Sequence, residues 1–136
     1  MSGDDNATED WEGWDPLFGR WPKWSESYIY TQLLEGGVAY WTNLHFIYIR
    51  SDFDIAPNVS LRAEYQGLMA PRAYQGSPLG STGTARGDMV IGKVTYKVND
   101  YLSGNVTWEH FNPGDYYWED ADAANWLRFE LMLKVE

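Results

Sequence analysis

The sequence predicts an all-β, antiparallel up-and-down meander on three observations. First, segment 126–136 splits its chemistry by parity. Leu127, Phe129, Leu131, Leu133 and Val135 alternate with Arg128, Glu130, Lys134 and Glu136, with Met132 among the charges. A strand sends successive side chains to opposite faces, whereas a helix would scatter both sets around its circumference. Second, three earlier segments, 59–69, 88–98 and 101–111, repeat that period of two. Third, the connections alternate in length, short at 54–58 and 99–100 and long at 1–36, 70–87 and 112–124.

In chain order, residues 1–36 read as a long loop. The first 24 hold many acids and four tryptophans (Trp11, Trp14, Trp21, Trp24) with no sustained period. Segment 25–35 is ambiguous: Ser25, Glu26 and Ser27 suit the start of a short helix, while Tyr28, Ile29, Tyr30 and Thr31 favour a strand. Residues 37–53 form a strand with blurred parity, Leu44, Phe46 and Tyr48 against Asn43, His45, Ile47 and Ile49. After the turn at 54–58, strand 59–69 sets Val59, Leu61, Ala63, Tyr65, Gly67 and Met69 against Ser60, Arg62, Glu64, Gln66 and Leu68. A loop rich in Gly, Pro and Ser follows at 70–87. Strand 88–98 sets Val90, Gly92, Val94, Tyr96 and Val98 against Lys93, Thr95 and Lys97, joined by Met89 and Ile91. Asn99 and Asp100 both tolerate positive φ and predict a two-residue type I′ hairpin. Strand 101–111 sets Leu102, Gly104, Val106, Trp108 and His110 against Ser103, Asn105, Thr107, Glu109 and Phe111, and an acidic Pro-Gly loop leads into the last strand, 125–136.

The 136 residues fit one domain, 1–136. A net charge of −10 argues against nucleic acid, which demands clustered Lys and Arg. Cysteine is absent, which removes disulfides, thiolate catalysis and thiolate zinc sites. No apolar run of helix-spanning length exists, yet a transmembrane β-barrel would show none, since its strands are only half apolar. The start of the chain has neither a basic n-region nor an apolar h-region.

Two regularities bear on what each face meets. Nearly every charge on the clear strands falls on one parity: Arg62, Glu64, Lys93, Lys97, Glu109, Arg128, Glu130 and Lys134. Short turns at one end and long loops at the other is the layout of outer-membrane barrels. Aromatics near strand ends (Tyr40, Trp41, Tyr96, Tyr101, Trp108, Trp126) suit interfacial girdles. A soluble sheet with one wet face alternates in the same way, so periodicity alone leaves both readings open.

The run 15–26 (DPLFGRWPKWSE) resembles a loop signature of the alginate export family of bacterial outer-membrane β-barrels, and 37–44 (GVAYWTNL) resembles the strand that follows it. Runs 83–87 (GTARG), 101–104 (YLSG) with Glu109, 113–117 (PGDYY) and 126–130 (WLRFE) are similar to later members of the series, in order. The resemblance implies the C-terminal portion of a transmembrane β-barrel with long external loops, located in the bacterial outer membrane. Its function would be that of a porin-like channel for hydrophilic, including anionic, solutes or polysaccharide. Five strands are fewer than the eight of the smallest bacterial barrels, so missing N-terminal strands or a partner chain would complete the wall. The ending Val135-Glu136 departs from the terminal aromatic usual in such barrels.

On that reading the pore-lining residues are Arg62, Glu64, Lys93, Lys97, Glu109, Arg128, Glu130 and Lys134. The lipid-facing residues are Leu61, Val94, Val106, Leu127, Phe129, Leu131 and Leu133. The partners are outer-membrane lipid and the strands that complete the barrel. The plainer account is that the charges are cross-strand ion pairs on a wet face. Asp4, Asp5, Glu9, Asp10 and Asp15, and again Asp115, Glu119, Asp120 and Asp122, read as solvated charge runs rather than calcium sites, having no EF-hand spacing. The four loop tryptophans read as packing groups before sugar-stacking platforms. His45 and His110 each stand alone, and no nucleophile elbow or phosphate loop exists. No enzyme, no metal and no cofactor are therefore expected. Two alternatives remain: a soluble β-sheet module that binds carbohydrate or protein, and a structural subunit that completes its sheet with a partner chain.

Overall fold

The structure, a computed structural model, describes residues 25–27, 44–73, 83–117 and 119–135. Five strands follow in chain order: β1 (His45–Ala56), β2 (Val59–Met69), β3 (Ala85–Lys97), β4 (Leu102–Pro113) and β5 (Ala124–Leu133). Each pairs antiparallel with the next, giving one open sheet with β1 and β5 at its edges. The antiparallel meander expected from parity is therefore present. β-Branched and aromatic side chains on one parity and polar ones on the other suit a pleated surface with two unlike environments.

The boundaries correct the sequence reading at four places. The turn expected at 54–58 is only Pro57 and Asn58, because strand pairing continues through Ala56. The expected two-residue hairpin at 99–100 is instead a connection of four residues, 98–101. There the Asn99 side chain braces the connection: its Oδ1 accepts the amides of Tyr101 (2.9 Å) and Leu102 (2.8 Å). Lys97 donates to Asp100 across this turn and holds that exposed carboxyl below its ordinary range. The loop at 70–87 gives up its last three residues to β3, and that at 112–124 gives up two to β4 and one to β5. Residues 1–24, 28–43 and 74–82 lie outside the described residues. So do the Trp-rich loop, Tyr40, Trp41, the acids Asp4 to Asp15, most of the ambiguous segment 25–35 and the first part of strand 37–53. The three residues described from segment 25–35, at 25–27, are neither helix nor strand.

Register aligns the parities. Arg50 faces Glu64, Asp52 faces Arg62, Arg62 faces Lys93, Lys93 faces Thr107 and Thr107 faces Arg128. One row of polar side chains thus crosses all five strands on a single face. The opposite face carries Ile49, Tyr65, Val90, Phe53, Val94, Phe129 and Leu131.

Burial divides the faces in the reverse of the usual sense. Glu64, Gln66, Asn105, Thr107 and Glu109 are buried, whereas Ile49 is 72% exposed, Phe129 72% and Leu131 67%. The core, Leu44, Leu68, Ala70, Met89, Ile91, Phe111, Tyr116 and Tyr117, sits on the polar side at the end where the longer connections run. There the 114–123 connection folds back onto the sheet. The Tyr116 amide donates to the Ala85 carbonyl (2.9 Å), and Tyr117 meets Phe111 and Tyr116 edge-on.

A β-bulge makes room for this. β2 register passes from Leu68 opposite Gly87 to Met69 opposite Ala85, leaving Arg86 as the extra residue. The bulge turns Arg86 into the buried side, where its guanidinium lies 4.8 Å from the Tyr116 ring centre. Gly87 takes φ +111°, and a Cβ there would run into the Asn112 carbonyl. Gly87→Ala is accordingly expected to destabilise the sheet by about 2 kcal/mol or more, from backbone strain plus the displaced β4 strand. The check is a denaturant-unfolding midpoint compared with that of Gly67→Ala, whose added methyl meets nothing closer than 3.9 Å.

Candidate functional site

The centre of the polar face is a cluster of charges built by strand register. Arg50 Nε on β1 donates to Glu64 Oε2 on β2 at 2.6 Å, and Gln66 Nε2 donates to Glu64 Oε1 at 2.7 Å. Both Glu64 oxygens are thereby engaged, which allows the side chain to be only 4% exposed. Arg62 Nε donates to Asp52 Oδ1 at 2.7 Å, nearer to solvent. On β4, Glu109 is 2% exposed and accepts two backbone amides from a distant part of the chain, Glu26 N (2.6 Å) and Ser27 N (2.9 Å). On β5, Arg128 donates to Glu26 Oε2 (2.7 Å) and to Glu130, with its guanidinium 6.0 Å from the Trp126 ring centre.

Part of this cluster lines a cavity of about 130 Å³, with Ser25 and Glu26 from the early segment and Arg50, Arg62, Glu64, Lys93 and Glu109 from the sheet. Lys93 makes no ion pair with another described residue, so its ammonium is a cation of the cavity lining that no carboxylate holds. A second, wider cavity of about 600 Å³ opens at the short-turn end among Asp54, Ser60, Thr95 and Lys97.

All eight residues expected on one wall share the polar parity, but the structure brings only some together. Arg62, Glu64, Lys93 and Glu109 line the central cavity. Arg128 and Glu130 flank it on β5, with Arg128 bridging to the 25–27 segment. Lys97 and Lys134 lie at the short-turn end, Lys97 tied to Asp100 and the Lys134 amide donating to the Tyr101 carbonyl. The seven residues expected on the other wall all lie on the apolar face. Val94, Leu127, Phe129, Leu131 and Leu133 are exposed, and Leu61 and Val106 are half-buried among neighbouring side chains.

Sequence reasoning missed Arg50, Asp52, Arg86, Glu26 and Gln66 as members of this arrangement. Arg50 and Asp52 continue the even parity of Leu44, Phe46 and Tyr48, a usable signal that the aromatic run obscured. Arg86 had no signal, since only the bulge turns it inward.

His45 and His110 belong to the apolar parity. His110 Nδ1 and Trp108 Nε1 both meet Asn125 Oδ1, at 3.0 and 3.2 Å. Asp115 of the second acidic run accepts the Ala85 amide at 2.8 Å. Among the described residues, no three His, Cys, Asp or Glu side chains come together so as to hold a metal ion.

Comparison with family models, with curated proteins and with solved structures returned no match.

The two cross-strand ion pairs are expected to differ in worth. Glu64→Ala strands Arg50 and Gln66 beside a buried wall and is expected to cost about 2 kcal/mol. Asp52→Ala removes a pair between side chains 42% and 57% exposed and is expected to cost under about 0.5 kcal/mol. Guanidinium unfolding of both variants measures the difference, and equal midpoints would mean that the buried pair carries no special weight.

Proposed function

We propose that this sheet is part of the wall of a bacterial outer-membrane β-barrel, similar to the alginate export family. Its apolar face meets lipid hydrocarbon and its polar face lines a water-filled, porin-like passage for hydrophilic solutes, anionic polysaccharide among them. The observation that supports this most is which face the chain covers for itself. Segment 25–27 and the 114–123 connection both lie over the polar face, while the apolar face has no covering element among the described residues.

Magnitudes favour the same reading. The row Phe53, Leu61, Val94, Val106 and Phe129 carries the apolar face from β1 to β5, and Ile47, Ile49, Phe53 and Ile55 at one edge and Leu127, Phe129, Leu131 and Leu133 at the other are each more than half exposed. Monomeric soluble proteins rarely exceed a few hundred Å² in one patch. From Leu127 to Leu133 the apolar parity of β5 runs about 20 Å at about 3.4 Å per residue. At a strand tilt near 40° that covers about 16 Å of thickness, which fits within the roughly 25 Å apolar band of outer-membrane barrels.

The polar face then acts by electrostatic guidance rather than by a tight pocket. Arg50, Arg62 and Arg128 are each held by a carboxylate, and Lys93, a cation of the cavity lining without an ion pair among the described residues, meets a passing anion. The reading gives no residue a catalytic role. Since β1 and β5 are sheet edges, and lipid cannot satisfy edge N–H and C=O groups, further strands complete the barrel. They come from a longer polypeptide or from a partner chain. These same edges favour a second reading, a structural subunit that pairs with another chain's sheet without forming a passage.

Neighbouring residues on opposite faces provide the test, and the absence of native cysteine makes single labels clean. A polarity-sensitive fluorophore is placed at Leu131→Cys or Glu130→Cys in protein reconstituted with lipid. The label at position 131 is expected to emit as in hydrocarbon and to be quenched by brominated acyl chains. The label at 130 is expected to respond only to a water-soluble quencher. A monodisperse monomer that stays soluble without detergent, with both labels in water, would support the soluble binding module and overturn the proposal.

A further inference from the structure

Glu109 is a poor candidate for guiding solute, because both its oxygens are already committed. They accept two successive backbone amides, Glu26 N at 2.6 Å and Ser27 N at 2.9 Å, from a segment more than 80 residues away in sequence. Backbone amides do not depend on side-chain identity, so this grip fixes where the main chain runs. A second tie lies one strand over, where Arg128 donates to the Glu26 carboxylate at 2.7 Å and is itself oriented by Glu130. Ser25 is 4% exposed, so the segment lies against the wall rather than in front of it. Ser25 and Glu26 form one side of the 130 Å³ cavity whose other side holds Lys93, Arg62 and Glu64. The segment therefore covers this stretch of the polar wall, and a solute moving along the wall meets it there.

We infer that Glu109 is a specificity-determining residue. Its carboxylate, with Arg128 as second tie, holds residues 25–27 as a strap across the polar face and so sets the largest solute that passes. The inference rests on the passage reading above and deepens it. The strap's hold is electrostatic at both points, two amides on one carboxylate and one guanidinium between two carboxylates. Neutralising Glu109 weakens the first while leaving the second in place. A glutamine there can accept one amide through its oxygen, but it turns its own NH₂ group toward the other.

The test compares wild type, Glu109→Gln and Asp122→Asn in the complete barrel, with the strands that close it, in the same detergent and then in liposomes. Asp122→Asn removes the same unit of charge at an exposed residue of the connection between β4 and β5 that does not line the central cavity. Hydrogen exchange is read on the peptide that carries the Glu26 and Ser27 amides. Liposome swelling is read with neutral sugars of increasing size, which a change of charge alone does not sort. Glu109→Gln is expected to speed exchange at those amides about tenfold or more, the equivalent of one charge-assisted hydrogen bond. It is also expected to raise the sugar size limit, while Asp122→Asn changes neither. Equal exchange in wild type and Glu109→Gln refutes the anchor. A size limit raised equally by Asp122→Asn refutes the specificity role. Should no sugar of any size enter with wild type while the exchange difference stands, the passage reading and the size role fall together and only the anchor survives.

Discussion

A two-residue alternation carried in register across five strands is the constraint on which everything else in this sheet depends. Slipping one strand by a single residue would exchange its faces, putting Arg62 and Glu64 among the leucines and Leu61 and Ala63 among the charges. The register breaks occur only where they do no such damage. One lies between Asp54 and Ala56 beside the Pro57-Asn58 turn, and the other at Arg86 near the opposite end. Between them every polar row crosses the sheet unbroken, so the Arg50–Glu64 and Arg62–Asp52 pairs form directly from the backbone pairing. The chemistry of the polar face is thus a consequence of backbone registration rather than of loop placement.

That face is then made compact by groups that answer each buried carboxylate. Glu64 has Arg50 and Gln66, and Glu109 has the two amides of residues 26 and 27. A carboxylate taken out of water without such partners would be costly enough to neutralise or to unfold its surroundings. The two compensations differ in kind. The first is local, from the neighbouring strand and from two residues along the same strand. The second spans more than 80 residues and ties the early part of the chain to β4. Apolar packing is confined to one end of this face, where Phe111, Tyr116, Tyr117 and Leu68 close over the wall and Arg86 lies on the Tyr116 ring.

How much of this was legible in the sequence follows the same division between local and distant causes. Strands 59–69, 88–98, 101–111 and 125–136 were readable because alternation is a local property, and the structure gives β2 at Val59–Met69 and the others within three residues at each end. Strand β1 was readable as a strand but not by face. Tyr48 on the polar side and Ile47 and Ile49 on the other are all hydrophobic types, so the even-parity charges Arg50 and Asp52 went unassigned. Arg86 sat in a stretch of Gly, Pro and Ser that reads as loop, and no local pattern announces a bulge. Glu26 was invisible for a different reason. Its partners Glu109 and Arg128 are brought to it by the fold, and a single sequence carries no trace of that pairing.

The apolar face carries a further clue to what it meets. Three glycines interrupt it, Gly67, Gly92 and Gly104, and the gaps at the last two are filled from within the sheet. The Trp108 ring lies over Gly92, and the Tyr96 ring lies against Gly104, its cross-strand neighbour. When two sheets stack, side chains from the facing layer interdigitate, and a glycine gap is where a partner's side chain would enter. Filling two of the three gaps with rings from the same sheet levels the β3–β4 part of this face, while the gap at Gly67 on β2 stays open. A fluid of acyl chains makes no demand for sockets, because it conforms to whatever profile it meets, while a rigid second layer gains little from the part so levelled. The two covered glycines therefore agree with the proposed hydrocarbon over β3 and β4, and they do so independently of how many leucines the face exposes.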